Sequence, residues 1–358
     1  MKNSFSHAQN KGNLEKVSNT NGLISIDGWA SSIGGGLPIG FHIKIGETVF
    51  ESFDVELNLE SPDVHTVWPD LDSANACRFK LNFPLGKEFH GESKDAMVNV
   101  VPIYASGTGK KLVQVLNPSI PEPPAHLAKI VGAGFHEASL EFLDYFIKFG
   151  KLKSTDNVLD VGCGIGRMSY GLLTYLEKSA KYSGFDIIPE LINWAQNEIS
   201  RNHPQFQFDH APIFNSFYNP DGNLKATEFI FPYDDQSFDF FFLTSVFTHM
   251  PGDSVQHYLK EIRRVLKPGG RGLITAFMLD ESSQALIKNG KSTLELIHPM
   301  GDGLVADIKR PDYAIGFDEH EFDSWLLKYK LRMESIQRGS WCGRLDYLTY
   351  QDILIIQG

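Results

Sequence analysis

A glycine-rich turn in the middle of the chain has the residue types and spacing of a nucleotide-cofactor site. The stretch NVLDVGCGIGRM, residues 157–168, is an apolar strand followed by a turn with Gly162, Gly164 and Gly166. Its spacing is G-x-G-x-G, whereas a dinucleotide fingerprint has G-x-G-x-x-G and directs a helix amino terminus at a pyrophosphate. Asp160 directly precedes the turn. Its negative charge there would repel a pyrophosphate, whereas its carboxylate would accept hydrogen bonds from an ammonium group. The turn therefore favours a cationic ligand without phosphate.

A second carboxylate, Asp186, closes the next apolar stretch, YSGFD. A carboxylate at the end of the second strand of such a sheet can accept hydrogen bonds from both hydroxyls of a ribose. The glycines of the turn allow a ligand to approach the backbone closely. A cofactor with a ribose, an amino group, a positive charge and no phosphate is S-adenosylmethionine, which is the cofactor we predict. A glycine turn alone is common in α/β folds, so the prediction depends on both carboxylates.

Alternating strands and helices in the second half of the chain must position these residues. We predict strands at 157–161, 182–186, 206–210, 238–245, 271–278, 331–338 and 347–357, and helices at 165–179, 189–201, 254–266 and 318–328. Such alternation predicts an α/β fold with a doubly wound, mostly parallel sheet covered by helices on both faces. No helix is predicted between the last two strands, so they should form a terminal antiparallel hairpin. Residues 279–317 fit neither period and are predicted to be a lid over the acceptor.

Four motifs, in the same order, resemble those of class I S-adenosylmethionine-dependent methyltransferases over residues 139–278. They are VLDVGCGIGR, GFDIIPELINWA, FPYDDQSFDFFFLTSVFTHM and YLKEIRRVLKPGGRGLITAF. The resemblance implies a Rossmann-like sheet whose cofactor site is built from these motifs. Around the methionine part it implies Asp160, Gly162, Gly164 and Gly166, with Cys163 and Arg167 of the same motif also assigned to cofactor binding. It further implies Asp186 at the ribose, Ile187 against the adenine and Ser245 near the transferable methyl group.

One position departs from the pattern of this family. Many members place an acid or amide just after the third strand, in contact with the adenine amino group. Here Ala211 and Pro212 stand at that position, within the segment FDHAPIFNSFYNPDG. We assign the contact to Asn215, with Asp209 and backbone atoms as alternatives.

His249, in the stretch SVFTHM, is the candidate catalytic base. Methyl transfer from a sulfonium mainly requires alignment of acceptor, methyl and sulfur. A hydroxyl acceptor must also lose its proton, and a positioned base contributes about 10²–10⁴-fold to the rate. Imidazole suits this role near neutral pH, although a histidine here would equally cap a turn or pack beneath the cofactor. His298 and Asp302 are secondary candidates for the base, and Tyr313 and Arg344 are candidates for orienting an acceptor.

Bulk composition bounds the partners and the location of the protein. The chain has 358 residues, a formal net charge of -11 and three cysteines. The negative charge argues against a nucleic-acid partner, and the few cysteines favour a reducing cytoplasm. No apolar run approaches the length of a membrane span, about 18 residues. The sequence contains no H-E-x-x-H and no paired C-x-x-C pattern, so we predict no metal site. A divalent ion bound by Asp302, Asp307 and Asp312 stays an alternative.

The first half of the chain has the pattern of a separate all-β domain. Short alternating runs such as LISIDGWA, CRFKLNFPL and AMVNVVPIY predict a small β-sandwich of seven or eight strands at 21–118. Residues 1–20 are polar and are predicted to be a disordered tail, not a secretion signal. Residues 119–138, which begin within the proline-rich NPSIPEPPAH, are predicted to be a linker. The methyltransferase-like domain would then occupy 139–358.

The predicted β domain also resembles a small β module of bacterial glycosyltransferases and methyltransferases in cell-surface polysaccharide pathways. The matching residues are Gly28, Trp29, Ala30, Pro62, Asp63, Val64 and Phe79. The resemblance implies a glycan or a glycan-linked lipid as acceptor. Trp29 or Trp68 would stack on a sugar ring unless both belong to the core, and the module is also a candidate for a homodimer contact or for docking.

The predicted function is transfer of a methyl group from S-adenosylmethionine to a hydroxyl of a saccharide or related hydroxylated metabolite, with S-adenosylhomocysteine as product. Two alternatives stay open. The first is methylation of an amine or a carboxylate of a small natural product. The second is a non-catalytic protein that binds S-adenosylmethionine and docks to a polysaccharide-synthesis complex.

Overall fold

The computed structural model describes residues 10–20, 23–32, 36–46, 48–71, 73–84, 96–116, 120–132 and 134–358. The chain divides into two compact units, Met1–Glu122 (unit 1) and Pro123–Gly358 (unit 2). Each unit has its own sheets and its own apolar core. Within the described ranges, no helix is both long and apolar enough to cross a membrane.

Unit 1 consists of two antiparallel sheets. Its elements are β1 (Asn10–Thr20), β2 (Leu23–Ser32), β3 (Gly40–Ile45), β4 (Thr48–Phe50), β5 (Asp54–Leu59), α1 (Pro62–Val67), β6 (Arg78–Pro84), β7 (Ala96–Tyr104), β8 (Gly107–Thr108) and β9 (Leu112–Leu116). One sheet has the order β1-β2-β6-β5. The other has the order β4-β3-β7-β8, with β9 also paired to β7.

The two sheets of unit 1 share one apolar core. Alternate residues of a strand point into it, as in β2, where Ile24 and Ile26 are fully buried. The rings of Phe41 in β3 and Phe79 in β6 lie 4.4 Å apart between their centres and join the two sheets. The alternation of apolar and polar residues seen in the sequence is therefore the alternation between core and solvent.

The predicted disordered tail at residues 1–20 is wrong for Asn10–Thr20, which form β1. This strand pairs with β2 from Asn10 opposite Ser32 to Thr20 opposite Leu23. Its sequence, NKGNLEKVSNT, is polar because this edge strand buries one side chain fully, that of Leu14. Residues 1–9 lie outside the described part of the chain.

The two tryptophans considered as sugar platforms already have partners in unit 1. Trp29 packs against a small cluster that includes Val64 and Cys77. Trp68 is 39% exposed, but the Lys11 ammonium lies 4.8 Å from the centre of its ring. One face of Trp68 is therefore covered by a cation, and Trp29 is partly buried against this cluster.

Unit 2 is built on a seven-stranded sheet. Its strands are β10 (Val158–Val161), β11 (Tyr182–Asp186), β12 (Phe206–His210), β13 (Phe238–Leu243), β14 (Leu266–Ala276), β19 (Arg332–Gln337) and β20 (Asp352–Gln357). The order is β12-β11-β10-β13-β14-β20-β19. The first five strands are parallel, whereas β20 runs antiparallel to both β14 and β19. The predicted α/β sheet and its antiparallel end are therefore present, and the strand order reverses between β10 and β13.

Two helices of unit 2 precede β10 in the sequence, and the other five follow it. They are α2 (Ala125–Val131), α3 (Phe135–Lys148), α4 (Ser169–Leu173), α5 (Pro189–Ala195), α6 (Gly252–Val265), α7 (Glu281–Lys288) and α8 (Glu319–Lys328). The helix predicted at 165–179 is limited to α4, and its later start follows from Gly166, whose positive φ keeps the chain turning. The predicted linker 119–138 contains α2 and the start of α3, so it is not an unstructured connection.

The predicted lid at 279–317 is an ordered part of unit 2. Besides α7 it contributes to a small sheet of β15 (Met278–Leu279), β16 (His298–Met300), β17 (Gly303–Val305) and β18 (Ile315–Asp318), in the order β15-β18-β17-β16. Asp280 caps α7, since its Oδ1 accepts a hydrogen bond from Ser283 N at 2.7 Å. Strands this short show no readable alternation, which is why the sequence did not reveal them.

A buried ion network holds the start of this segment against β20. Asp352 is fully buried and accepts hydrogen bonds from Met278 N at 2.9 Å and from Trp341 Nε1 at 2.8 Å. Arg344 lies between two carboxylates, with Nη1 3.3 Å from Asp352 Oδ1 and Nη2 2.7 Å from Asp280 Oδ1. Arg344, a candidate for orienting an acceptor, is therefore engaged in holding the fold.

We expect Arg344→Met to lower the free energy of unfolding by about 3 kcal/mol, because the buried Asp352 would lose its cationic partner. Arg332→Met is the matched control, since Arg332 forms an exposed pair with Glu334 at 3.6 Å and should cost less than about 1 kcal/mol. Denaturant unfolding of the full chain measures both values. Equal losses in the two variants would contradict the account of the network.

Candidate active site

A cavity of about 600 Å³ lies in unit 2 at the carboxyl ends of β10, β11 and β13. This is the place where the strand order reverses and where α/β sheets bind ligands. Nine of the residues predicted for the site line this cavity: Gly162, Cys163, Gly164, Arg167, Asp186, Ile187, Asn215, Ser245 and His249. The fold therefore brings together residues that are up to 87 positions apart in the sequence, from Gly162 to His249.

The glycine turn is fixed to the end of the neighbouring strand β11. The N–H groups of Gly162 and Cys163 donate to the carbonyl oxygen of Phe185 at 2.9 and 3.0 Å. Gly164 N donates to Asp186 Oδ2 at 2.8 Å, and Gly166 N donates to the Cys163 carbonyl at 2.9 Å. A turn that binds a pyrophosphate needs such amides free to face the phosphate. These four amides already have protein partners, so the turn favours a ligand without phosphate.

Asp186 holds the turn and still has capacity to bind a ligand. Its Oδ1 accepts from Ile188 N at 2.9 Å, while Oδ2 accepts from Gly164 N. Each carboxylate oxygen can accept a second hydrogen bond, and Asp186 lines the cavity. Burial raises the pKa of Asp186, while the backbone donors Ile188 and Gly164 oppose this rise. These features fit the predicted contact with a ribose diol.

The floor of the cavity depends on bare backbone at two of the glycines. Gly162 has φ +76°, and a Cβ there would overlap the side chain of Val246. Gly164 has φ +55°, and its Cβ would lie 3.0 Å from Val131 Cγ1. A side chain at either position would distort the turn and fill the space that a ligand would take.

Two residues predicted to surround the cofactor do not line the cavity. Gly166 packs the turn onto the sheet, since its Cβ would lie 2.8 Å from Phe208 and 2.9 Å from Ile199. Asp160 is buried below the turn, where its Oδ2 accepts a hydrogen bond from the Tyr182 hydroxyl at 2.6 Å. Burial raises the pKa of Asp160 to about 8, despite the opposing hydrogen bond from Tyr182. Because burial disfavours the charged form of Asp160, its charge gives little support to the predicted repulsion of a pyrophosphate.

Asp160 and Arg167 are both incompletely satisfied beside the glycine turn. Asp160 Oδ1 has no hydrogen-bond partner among the described residues, although it is buried. Arg167 lines the cavity, and within the described ranges its guanidinium makes no ion pair or hydrogen bond. Burial lowers the pKa of Arg167, while the nearby Asp160 opposes this. The half-buried Arg167 guanidinium is therefore available to pair with an anionic group in the cavity.

His249 lies in a short 3₁₀ turn after β13 and lines the same cavity. Its Nδ1 lies 2.8 Å from the carbonyl oxygen of Asp312. A carbonyl can only accept, so Nδ1 carries the proton and Nε2 carries the lone pair. Burial lowers the pKa of His249, although the hydrogen bond to Asp312 opposes this. The residue is therefore a neutral imidazole with Nε2 as a proton acceptor.

A second contact joins the loop after β12 to Asp312, the residue whose carbonyl accepts the hydrogen bond from His249. Ser216 Oγ donates to Asp312 Oδ2 at 2.6 Å. The ring of Tyr218 meets the His249 ring edge to face, with 5.8 Å between their centres. Asp312 therefore contacts His249 through its carbonyl and Ser216 through its carboxylate, which links three separate parts of unit 2.

Asn215 lines the cavity, but its side-chain oxygen serves the loop itself. Asn215 Oδ1 accepts hydrogen bonds from Phe217 N at 3.0 Å and Tyr218 N at 2.8 Å. Its amide N–H₂ group can donate and cannot replace an acid that accepts from the adenine amino group. The alternative, Asp209, does not line the cavity and accepts from the Tyr233 hydroxyl at 3.2 Å.

Sequence reasoning missed several residues of the site. Gln351 Nε2 donates to Ser245 Oγ at 2.9 Å, and Gln351 Oε1 accepts from Thr275 Oγ1 at 2.5 Å. Ser245 has φ +59°, a left-handed backbone that this network holds in place. Further wall residues come from the predicted linker and lid: Ile130, Val131, Met300, Pro311 and Asp312. No sequence pattern marks Gln351, because it precedes β20 in an irregular stretch.

Other sequence candidates are not brought to the cavity. His298 and Asp302 do not line it, and Tyr313 is exposed, with the Arg310 guanidinium 5.2 Å from its ring centre. Asp307 pairs with Arg310 at 3.2 Å, so it does not join Asp302 and Asp312 in one set of ligands. Within the described ranges, no three His, Cys, Asp or Glu side chains form a group suited to a metal ion.

The part of unit 2 that forms most of the cavity is similar to known methyltransferases. Residues 159–274 match the family model described as a methyltransferase domain. S-adenosylmethionine is the methyl donor of this domain, as predicted. The match covers the glycine turn, Asp186 and His249, and it begins after α3 and ends within β14.

Three curated relatives differ in the atom that their names give as methyl acceptor. The chain is 25% identical to 27-O-demethylrifamycin SV methyltransferase of Amycolatopsis mediterranei, over 51% of this chain and 59% of that protein. It is 26% identical to N-terminal Xaa-Pro-Lys N-methyltransferase 2 of Danio rerio, over 53% and 64%. It is 24% identical to sterol 24-C-methyltransferase of Kluyveromyces lactis, over 66% and 54%. The chain spans between 54% and 64% of the length of these relatives.

We expect Asp186→Ala to weaken binding of S-adenosylhomocysteine at least about tenfold, since hydrogen bonds to a charged group contribute roughly 1.5–3 kcal/mol each. Asp209→Ala is the matched control, because Asp209 lies near the end of the adjacent strand β12 without lining the cavity. Isothermal titration calorimetry measures both affinities. An equal loss in the two variants would show that Asp186 does not contact the cofactor.

Proposed function

We propose that the chain transfers a methyl group from S-adenosylmethionine to a hydroxyl of a saccharide or related hydroxylated metabolite. The observation that carries the proposal is the hydrogen bond between His249 Nδ1 and the Asp312 carbonyl. It leaves Nε2 as a proton acceptor in the cavity that also contains the glycine turn. The similarity to 27-O-demethylrifamycin SV methyltransferase supports an oxygen acceptor.

The residues of the cavity fit S-adenosylmethionine, which supplies an electrophilic methyl group on a sulfonium sulfur. Asp186 would accept hydrogen bonds from the ribose hydroxyls, and Ile187 would pack against the adenine. Arg167, a cation without a protein partner in the described ranges, would pair with the carboxylate of the methionine part. The unpaired Asp160 Oδ1 would contact the ammonium group through an ordered water, because Asp160 lies below the turn.

His249 would act as the general base. Its Nε2 would take the proton of the acceptor hydroxyl as that oxygen is methylated, and the bound cofactor would keep the electron pair of its carbon–sulfur bond on sulfur. The resulting imidazolium keeps its Nδ1 hydrogen bond to the Asp312 carbonyl, which favours the charged ring. Release of the proton to solvent then restores the neutral ring.

We interpret unit 1 as a small β-sandwich through which the protein docks to a partner or dimerises. Its resemblance to polysaccharide-pathway modules supports the saccharide acceptor. Support for a contact role comes from the edge strand β5, where Val55 and Leu59 are exposed.

We place the protein in the cytoplasm because its three cysteines are buried free thiols. The net charge of -11 supports the absence of a nucleic-acid partner.

We expect His249→Gln to lower kcat by about 10²–10⁴-fold, because the hydroxyl would lose its proton acceptor. In the wild-type protein, kcat should fall with decreasing pH through a pKa below the usual histidine value of about 6.5, since burial lowers the pKa of His249. The measurement is label transfer from S-adenosylmethionine to pooled acceptors as a function of pH. Unchanged kcat in His249→Gln would remove His249 from the mechanism.

Ser216 provides a second variant that tests the positioning of the same base. Ser216→Ala removes the hydrogen bond to Asp312, whereas Ser216→Thr keeps a hydroxyl at the same carbon. We expect the alanine variant to lower kcat and move the acidic limb of the pH profile, and the threonine variant to restore both. A purely structural role for Ser216 would lower stability without moving that limb.

A further inference from the structure

Three segments, 213–227, 249–254 and 300–312, contribute much of the cavity lining outside the glycine turn. We call the apolar side chains that these segments contribute the acceptor wall. Its members are Phe214, Tyr218, Met250, Pro251, Met300 and Pro311. The wall lies on the His249 side of the cavity, because Met250 follows His249 directly and Tyr218 packs against the His249 ring.

The charged side chains beside the acceptor wall already have protein partners. Asp312 accepts from Ser216 Oγ at 2.6 Å, and Asp253 accepts from Ser254 N at 2.6 Å. Lys225 lies 3.6 Å from Glu228. A sugar with several hydroxyls is usually held by carboxylates and amides that grip neighbouring hydroxyls in pairs. Each of these carboxylates can accept further hydrogen bonds, but two carboxylates are few for a sugar with many hydroxyls.

Amide side chains on this side are engaged in the same way. Asn215 Oδ1 accepts from two backbone N–H groups of its own loop. Gln351, beside Ser245, is bonded to Ser245 and Thr275. A polyhydroxylated acceptor would therefore bury several hydroxyls against methionine, proline and aromatic carbon, and each unpaired hydroxyl would cost binding free energy.

The apolar wall continues to the outer surface of the loop after β12. Phe214 lines the cavity and is 54% exposed. An aromatic side chain that is half exposed at a cavity has a ring face available for a flat apolar ligand. Phe217, two residues beyond Asn215 in the same loop, is 72% exposed and does not line the cavity.

We propose that the acceptor is a hydroxylated compound with an apolar ring body, and not a sugar with many hydroxyls. The ring body lies against the acceptor wall, and one hydroxyl faces His249. The inference rests on the proposed function, which makes a hydroxyl the reacting group. Of the two acceptors proposed there, a saccharide and a related hydroxylated metabolite, it favours the hydroxylated metabolite. Two observations support it: the side chains of the acceptor wall are mainly apolar, and the polar side chains beside them already form hydrogen bonds within the protein.

Binding of two simple probes to the full chain tests the inference. With saturating S-adenosylhomocysteine, we expect 2-naphthol to bind at least about tenfold more tightly than methyl α-glucopyranoside, as burial of an aromatic ring contributes on this scale. Phe214→Ser combined with Met300→Ser should weaken 2-naphthol binding by about tenfold or more. Phe217→Ser is the matched control and should leave the affinity unchanged. Ligand-observed NMR gives the dissociation constants, and thermal melting shows that each variant is folded.

Tighter binding of methyl α-glucopyranoside than of 2-naphthol would overturn the inference. So would an affinity for 2-naphthol that the double variant leaves unchanged, because the probe would then bind elsewhere. Failure of the proposed function has a different signature: S-adenosylhomocysteine would not bind and no label would be transferred. The two probes can still be compared in that case, since their binding requires no methyl transfer.

Discussion

The hydrogen bonds that join the glycine turn to the end of β11 are the interaction on which the rest of the site depends. Phe185 accepts from Gly162 and Cys163, and Asp186 accepts from Gly164. These bonds hold two adjacent strand ends as one rigid wall and use the amides that a phosphate would need. Asp186 thereby fixes the shape of the turn and presents its remaining lone pairs to a ligand. The preference for a phosphate-free cofactor follows from this arrangement and not from an exposed Asp160.

Asp312 plays the corresponding part on the other side of the cavity. Its carbonyl sets the proton of His249 on Nδ1, and its carboxylate holds Ser216 in the loop after β12. Three segments that are distant in the sequence meet at this one residue. A buried neutral imidazole whose tautomer is fixed in this way is ready to accept a proton at Nε2. The same segments supply the apolar wall, so acceptor recognition and base positioning depend on one packed region.

The sequence predicts the residues that stand at the ends of strands. It does not predict which side chains face the cavity, because that depends on packing. Apolar strands such as VLDV and FDFFFL, followed by polar or glycine residues, place Asp186, Ser245 and His249 at one edge of a parallel sheet. Whether a motif residue faces the cavity or the sheet is decided by packing, which is why Asp160 and Gly166 do not line the cavity although they belong to the motif. The strand Asn10–Thr20 was missed because an edge strand needs few apolar residues. Gln351 was missed because irregular segments carry no period, and Asp312 was considered only as a possible metal ligand.

The central claim is that the cavity holds a nucleoside cofactor without phosphate. Calorimetric titration of the full chain with S-adenosylhomocysteine and with NAD tests it most directly, since both ligands share the adenosine part and differ in the pyrophosphate. The account predicts saturable binding of S-adenosylhomocysteine at one site per chain and no detectable uptake of NAD. Binding of NAD together with no response to S-adenosylhomocysteine would contradict it.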